Sequence, residues 1–239
     1  MSTVDDLMQR RYDAGAALVV EAGALAGEYF RRFDTLTVTS KGVQDMASEA
    51  DLAVELLIRK RLKEQFPADD FLGDDFLGEE TGRGDVQGAE GIWVVDPIDG
   101  TQPFISGMSS WAVSIAYVHD GVLELGFVAA PARGEVFTGR RGHPATLNGK
   151  PIHVSNASKL TDGIIAIGYS TRVHPDSFLP MFSQLLHQGA MFYREGSAAL
   201  TLCSLACGRI IGYIELHLNS WDCLGAIAVI EGAGGQVSR

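Results

Sequence analysis

The segment Trp93–Thr101 constrains the chain most, because it dictates how a buried strand must end. Its first three residues are apolar and predict a strand, and two carboxylates, Asp96 and Asp99, follow three residues apart. Pro97 fixes the backbone between them, and Gly100 allows a sharp turn afterwards. If the strand ends at Asp96, both carboxylates can converge on one point. A plain turn is the alternative interpretation. An EF-hand fits less well, since its alternating acidic positions and distal glutamate are missing.

The charge of the chain limits its partners. The 239 residues are 46% hydrophobic, enough for one large domain or two closely packed halves. Lysine and arginine total 19 against 30 aspartate and glutamate, a net charge of −11. This sign disfavours direct binding of nucleic acid. A chain with this negative charge can bind an anionic substrate only if cations neutralise the carboxylates near the substrate. This is a first indication of a metal site.

Cysteine, histidine and hydropathy give weaker constraints. Cys203, Cys207 and Cys223 are odd in number and lie in apolar helical patterns, which favours buried thiols over disulfides. The six histidines show no ligand spacing near the acidic motifs, and we expect them at surface or satisfied core positions. No signal peptide and no long apolar stretch is visible, so we expect a cytoplasmic protein without membrane association.

Apolar periodicity predicts helices in the first part of the chain. A long amphipathic helix is expected at Val4–Phe33 and a second at about Glu49–Phe66, where Pro67 ends it. Asp51 then lies in the first turn of the second helix. Strands are predicted at Trp111–Tyr117, Val122–Ala129 and Glu135–Gly139. The first half is therefore expected to lay helices on an antiparallel sheet.

The second half, after about Pro151, alternates strand and helix and predicts an α/β arrangement. The strands are expected at Ile164–Tyr169 and Ile210–Ile214, and the helices at Asp176–His187, Ser197–Cys207 and Trp221–Gly232. A tandem repeat, Asp69–Gly73 followed by Asp74–Gly78, is interpreted as a duplication in a surface loop.

Two more acidic motifs give the central segment a context. Gly78-Glu79-Glu80 precedes it, and Trp221-Asp222 begins a predicted helix. With Trp93–Thr101 between them, the three motifs resemble, in order and identity, those of the inositol monophosphatase family. The resemblance extends from the first helix to Glu231–Gly235. It implies a layered αβαβα sandwich, α+β or α/β in class. It also implies one catalytic domain, residues 1–239, with sub-domains of about 1–150 and 151–239 and the active site between them.

The resemblance also implies a metal site. The family's side-chain ligands correspond to Glu79, Asp96, Asp99 and Asp222, and the backbone carbonyl of Ile98 is a further ligand. These oxygen donors suit two or three Mg²⁺ ions and do not suit zinc. The implied activity is hydrolysis of a phosphate monoester by a metal-activated water, without a covalent intermediate.

Further roles follow from the same resemblance. Glu79 and Thr101 match the pair that activates the water, and Asp51 matches the residue that supports Thr101, although an acidic residue in a first helical turn is commonplace. Phosphate and substrate contacts correspond to Gly100, Thr101, Gly196, Ser197, Ala198 and Glu215. Ser197 is alternatively a simple N-cap and Glu215 a solvated strand end.

The chain departs from the family's pattern next to the phosphate site. Many members continue Asp-Gly-Thr with x-Asn-Phe, whereas this chain has Gln102-Pro103-Phe104. Inositol monophosphate is the expected substrate, and histidinol phosphate is the alternative. A further alternative is an extragenic-suppressor role with a partner in the transcription machinery. The likeness also implies a homodimer and sensitivity to Li⁺. Because relatives typically continue beyond Gly-Gly, we expect a truncated C-terminal end after Arg239.

Overall fold

A computed structural model describes residues 4–42, 45–73 and 91–238 of the chain. The helices in this part are α1 (Val4–Phe30), α2 (Glu49–Gln65), α3 (Thr101–Ile105), α4 (Pro175–His187), α5 (Ala198–Ala206) and α6 (Ser220–Gly232). The strands are β1 (Val38–Gly42), β2 (Asp45–Ser48), β3 (Asp70–Gly73), β4 (Ile92–Asp99), β5 (Ala112–His119), β6 (Val122–Ala130), β7 (Glu135–Arg140), β8 (Thr146–Leu147), β9 (Lys150–Pro151), β10 (Ile164–Ile167), β11 (Met191–Tyr193) and β12 (Gly212–Ile214).

The strands form three sheets. Seven of them lie in the order β3-β4-β5-β6-β7-β8-β9, and the pairs are antiparallel except β3 with β4. A smaller parallel sheet has the order β11-β10-β12, and β1 and β2 form an antiparallel pair. The predicted antiparallel sheet and α/β second half are thus observed, with one parallel pair added at the edge of the large sheet.

Helices and sheets alternate in five layers. Helices α1 and α2 cover one face of the large sheet with apolar side chains such as Val19, Val54 and Ile58. Helices α5 and α6 cover the other face. The parallel sheet lies beyond α5, and α4 packs its Leu185 against Ile167 of β10. The expected layered sandwich is confirmed.

Two local expectations were wrong. Strand β4 does not end at Asp96 but continues to Asp99, with a break in its register against β5 between these two residues. Pro97 has no N–H to offer a ladder, so the irregularity falls where the sequence cannot pair regularly. The first copy of the tandem repeat is not a loop either, because its backbone pairs in parallel with β4 to form β3. The second copy lies outside the described residues.

The cysteines are free thiols, as the sequence predicted. Cys203 is buried, Cys207 and Cys223 are partly buried, and all three are free. Among the helices described, none combines the length and apolarity needed to cross a membrane.

Helix α6 approaches the large sheet closely, and the start of α6 lies near the end of β4. A Cβ atom on Gly126 of β6 would overlap the carbonyl of Gly225 in α6. A Cβ atom on Gly139 of β7 would lie 2.5 Å from the backbone of Ala228. Glycine is required here because backbone meets backbone.

Replacing Gly126 with Ala should destabilise the fold, because the added methyl group would push α6 away from the sheet. We expect the free energy of unfolding to fall by about 1–3 kcal/mol in urea denaturation followed by circular dichroism. Gly27→Ala is the matched control. Its Cβ atom would lie no closer than 3.7 Å to Pro131, and alanine favours a helix over glycine by about 0.5–1 kcal/mol. Equal stability of Gly126→Ala and the wild type would contradict the close contact.

Candidate active site

The break in β4 turns two carboxylates into the interior. Asp96 and Asp99 are both buried, at 5% and 7% exposure. The Asp96 Oδ1 atom accepts a hydrogen bond of 3.0 Å from the backbone N–H of Ile98. Because the strand is irregular between them, the two side chains need not alternate between opposite faces of the sheet. They end on the same side, as the hexapeptide suggested.

Gly100 and Thr101 redirect the chain directly after the strand. Gly100 has a φ of 91°, and a Cβ atom there would lie 2.7 Å from the carbonyl oxygen of Ser110. Gly100 therefore caps α3, which starts at Thr101. The Thr101 hydroxyl lies 3.0 Å from the Ile98 carbonyl oxygen and 3.4 Å from Asp51 Oδ1. One hydroxyl thus links the strand end to α2.

Asp51 caps the start of α2 and also lies next to Thr101, which are the two possibilities that the sequence left open. As the third residue of α2 it completes a capping box, and its Oδ2 accepts hydrogen bonds from the backbone N–H and hydroxyl of Ser48 at 2.8 and 2.7 Å. Its Oδ1 is the atom near Thr101. The cap fixes the carboxylate, which then presents its second oxygen to the strand end.

Asp222 enters from the start of α6. It also forms a capping box, in which its Oδ2 accepts a hydrogen bond of 2.8 Å from the backbone N–H of Asn219. One carboxylate oxygen from each of Asp96, Asp99 and Asp222 lies within 4.8 Å of the other two. Residues far apart in sequence thus form one acidic cluster.

The start of α5 contacts the same cluster. Ser197 is the N-cap of α5, and its hydroxyl accepts a hydrogen bond of 3.2 Å from the N–H of Leu200. The same hydroxyl donates its hydrogen to Asp99 Oδ2 at 2.5 Å, and the N–H of Ala199 donates to that oxygen at 2.6 Å. Ser197 is therefore an N-cap, as one interpretation had it, and in addition a partner of Asp99.

The cluster carries electrostatic strain. Burial, and after it the nearby charge of Asp222, raise the pKa of Asp99 to about 7, against the opposing effect of the hydrogen bonds from Ser197 and the backbone. Several carboxylates so close cannot all ionise without cost. A divalent cation bound by their oxygens would remove that cost, and the residues present therefore fit a metal such as the family uses.

A cavity of about 850 Å³ opens beside the cluster. Its wall includes Asp99, Gly100, Thr101, Gln102, Pro103, Gly196, Ser197, Ala198, Glu215 and Asp222. All the expected substrate contacts are therefore in one place. Asp96, Ile98 and Asp51 are not among the residues that line the cavity, and Glu79 falls outside the described residues.

The sequence did not predict four further residues that line the cavity. Arg172, Arg194, Tyr213 and His217 line it, and His217 differs from our expectation of a surface or core histidine. Arg172 and His217 follow the carboxyl ends of β10 and β12. Ligands bind at the carboxyl ends of parallel strands, so the topology, once known, would have indicated them.

Comparisons with known proteins agree with this geometry. The model of the inositol monophosphatase family matches residues 7–239. The Nus factor SuhB of Pseudomonas aeruginosa is 36% identical over 91% of this chain and 80% of its own length. The crystal structure of the extragenic suppressor protein SuhB from Bartonella henselae has a TM-score of 0.85 at 30% identity, covering 93% of this chain and 84% of its own. Inositol monophosphatase from Anabaena has a TM-score of 0.81 at 31% identity, with 95% and 83% covered.

The layered fold is that of solved inositol monophosphatases and SuhB proteins. The chain belongs to the inositol monophosphatase family. The resemblance drawn from the three acidic motifs is thereby confirmed.

Replacing Ser197 with Ala should raise the pKa of Asp99 above its value of about 7 in the metal-free protein. The hydroxyl donates a hydrogen bond that favours the ionised carboxylate, and alanine removes it. The titration is measured by the ¹³C carboxyl shift of Asp99, identified by its absence in Asp99→Asn. Ser106→Ala is the control, since Ser106 lines the same cavity but is exposed. An unchanged midpoint in Ser197→Ala would contradict the assignment.

Proposed function

We propose that this protein is a Mg²⁺-dependent phosphomonoesterase that hydrolyses inositol monophosphate to inositol and phosphate. The observation that carries the proposal is the acidic cluster of Asp96, Asp99 and Asp222, which borders a cavity large enough for a small phosphate ester. The family match over nearly the whole chain supports the same reaction class.

The donor set favours Mg²⁺. We assign the carboxylates of Glu79, Asp96, Asp99 and Asp222 and the carbonyl of Ile98 as ligands of two or three ions, following the family. All are hard oxygen donors, which Mg²⁺ prefers. When bound, Mg²⁺ would withdraw charge from the phosphate, acidify a coordinated water and stabilise the leaving oxygen.

The chain's own residues would orient the attacking water. The Thr101 hydroxyl can donate its one hydrogen either to the Ile98 carbonyl or to Asp51, and in both cases its oxygen keeps lone pairs that can accept from a water. We propose that Thr101 holds the water in line with the phosphorus and that Asp51 supports it. Glu79 takes the role of base by family likeness. Attack by water on phosphorus needs no covalent phosphoenzyme.

Phosphate and alcohol would bind in the same cavity beside the cluster. The N–H groups of Gly100 and Thr101 open α3, where free backbone donors suit phosphate oxygens. Four further residues that line this cavity would bind the alcohol: Gly196, Ser197, Ala198 and Glu215. Since the hydroxyl hydrogen of Ser197 is engaged by Asp99, Ser197 would contact substrate through its backbone or as an acceptor.

Several further properties belong to the proposal through family likeness alone. They are a single catalytic domain with its site between two halves, a homodimeric state and inhibition by Li⁺. A cytoplasmic location is also part of the proposal. The substrate is a small molecule, and direct binding of nucleic acid is disfavoured by the net charge of −11.

Asp99→Asn should abolish Mg²⁺-dependent phosphate release while the circular dichroism spectrum stays native. The amide keeps the size of the side chain but removes the negative charge that a cation requires. Asp120→Asn is the matched control, because Asp120 lies in a turn and its side chain is 88% exposed. Phosphate release is followed with inositol 1-phosphate at saturating Mg²⁺. Turnover retained by Asp99→Asn would remove Asp99 from the metal site.

Histidinol phosphate is the alternative substrate. It is considered because the sequence departs from the family's pattern at residues that line the cavity. Gln102 and Pro103, which replace the family's common residues, line the cavity, and Pro103 lies 3.0 Å from where a Cβ atom of Gly196 would be. The departure therefore faces the substrate. A panel of phosphate esters, assayed with Mg²⁺ and with or without Li⁺, should show the highest kcat/KM for inositol phosphates. Hydrolysis of no monoester would overturn the enzymatic proposal.

A second candidate function rests on the relative named a Nus factor, at 36% identity. By that likeness the chain would act through a partner in the transcription machinery. A pull-down with wild-type protein and with Asp99→Asn separates the two functions. A partner retained by the inactive variant would establish binding as independent of catalysis.

A further inference from the structure

The Glu215 carboxylate is held by two neighbours that the proposed mechanism does not use. Glu215 follows β12, and Gly168 follows β10, the adjacent parallel strand. The N–H of Gly168 donates a hydrogen bond of 2.9 Å to the carbonyl of Ile214, which fixes the two strand ends side by side. The Glu215 side chain therefore lies over the backbone of Gly168.

Gly168 leaves the space that this side chain occupies. A Cβ atom built on Gly168 would overlap both Oε2 and Cδ of Glu215 and would lie 2.6 Å from the hydroxyl oxygen of Tyr213. Any other residue at position 168 would displace the carboxylate. The absence of a side chain here is thus matched to the position of Glu215.

Tyr213 fixes the same carboxylate from the side. Its hydroxyl donates a hydrogen bond to Glu215 Oε2. Burial and the nearby Glu215 charge raise the pKa of Tyr213, so the hydroxyl keeps its hydrogen and remains a donor. Within the part of the chain that the structure describes, Oε1 has no corresponding protein partner, and Glu215 lines the cavity. One oxygen is engaged, and the other is available to a ligand.

We propose that Tyr213 and Gly168 are positioning residues that present the Glu215 carboxylate to a hydroxyl group of the leaving alcohol. They thereby set a preference for polyol phosphates over esters without hydroxyls. The inference rests on the proposed phosphatase activity and deepens it, because it assigns selectivity to residues outside the acidic cluster.

The test compares two esters in the wild type and in Tyr213→Phe. Inositol 1-phosphate carries hydroxyls that can donate hydrogen bonds to the Glu215 carboxylate, whereas the alcohol part of p-nitrophenyl phosphate carries none. We expect kcat/KM for inositol 1-phosphate to fall about tenfold, mainly through KM, while that for p-nitrophenyl phosphate changes by less than about twofold. If Tyr213 had a purely structural role, Tyr213→Phe would lower kcat/KM for both esters to the same extent, through kcat.

Two further variants make the test specific. Gly168→Ala displaces the same carboxylate by a different route and should cause the same selective loss. In a Glu215→Gln background, Tyr213→Phe should cause no additional loss, because both changes act through one group. Tyr12→Phe is the matched control. It removes a tyrosine hydroxyl that bonds Thr138 in the first half of the chain and should leave the ratio of the two esters unchanged.

The outcomes are distinguishable. The positioning role is overturned if kcat/KM falls equally for both esters, or if kcat/KM for inositol 1-phosphate does not fall in either variant. The phosphatase proposal stands in both cases. If the wild type hydrolyses neither ester, the phosphatase proposal fails and the positioning role fails with it.

Discussion

The close contact of α6 with the large sheet is the constraint on which the site depends. Gly126 and Gly225 allow backbone to meet backbone, so the start of α6 reaches the end of β4. With larger residues at these positions the helix would stand further off. Asp222 would then be too far from Asp99 to share a cation with it.

The contact brings together groups that repel one another. Three carboxylates lie within 4.8 Å, and the pKa of Asp99 rises to about 7 because the group is buried beside Asp222. The helix starts reduce the strain, since Ser197 and the backbone of α5 donate to Asp99. They do not remove it. A cation would complete the balance, and Glu215, which follows a parallel strand, lines the same cavity.

Helices and longer strands with strong local signals were predicted well, and several short paired strands were not. The apolar period and the breaker Pro67 located α2 to within a residue. β1, β2 and β11 were missed, because short strands carry little periodicity and exist through hydrogen bonds to a neighbour. β3 was interpreted as a loop for the same reason. The end of β4 was placed too early, since a break in register depends on the partner strand.

The sequence by itself determined the chemistry of the site. Asp96, Asp99 and Asp222 stand in local motifs whose order resembles that of the inositol monophosphatase family, and the resemblance implies oxygen ligands for a hard cation. Only the tertiary structure decided which groups support them. Ser197 and Asp99 are 98 residues apart, and Gly168 meets Glu215 across two parallel strands. Such contacts arise from packing between distant segments, and no local pattern encodes them because each residue has an ordinary local role as a cap or a strand end.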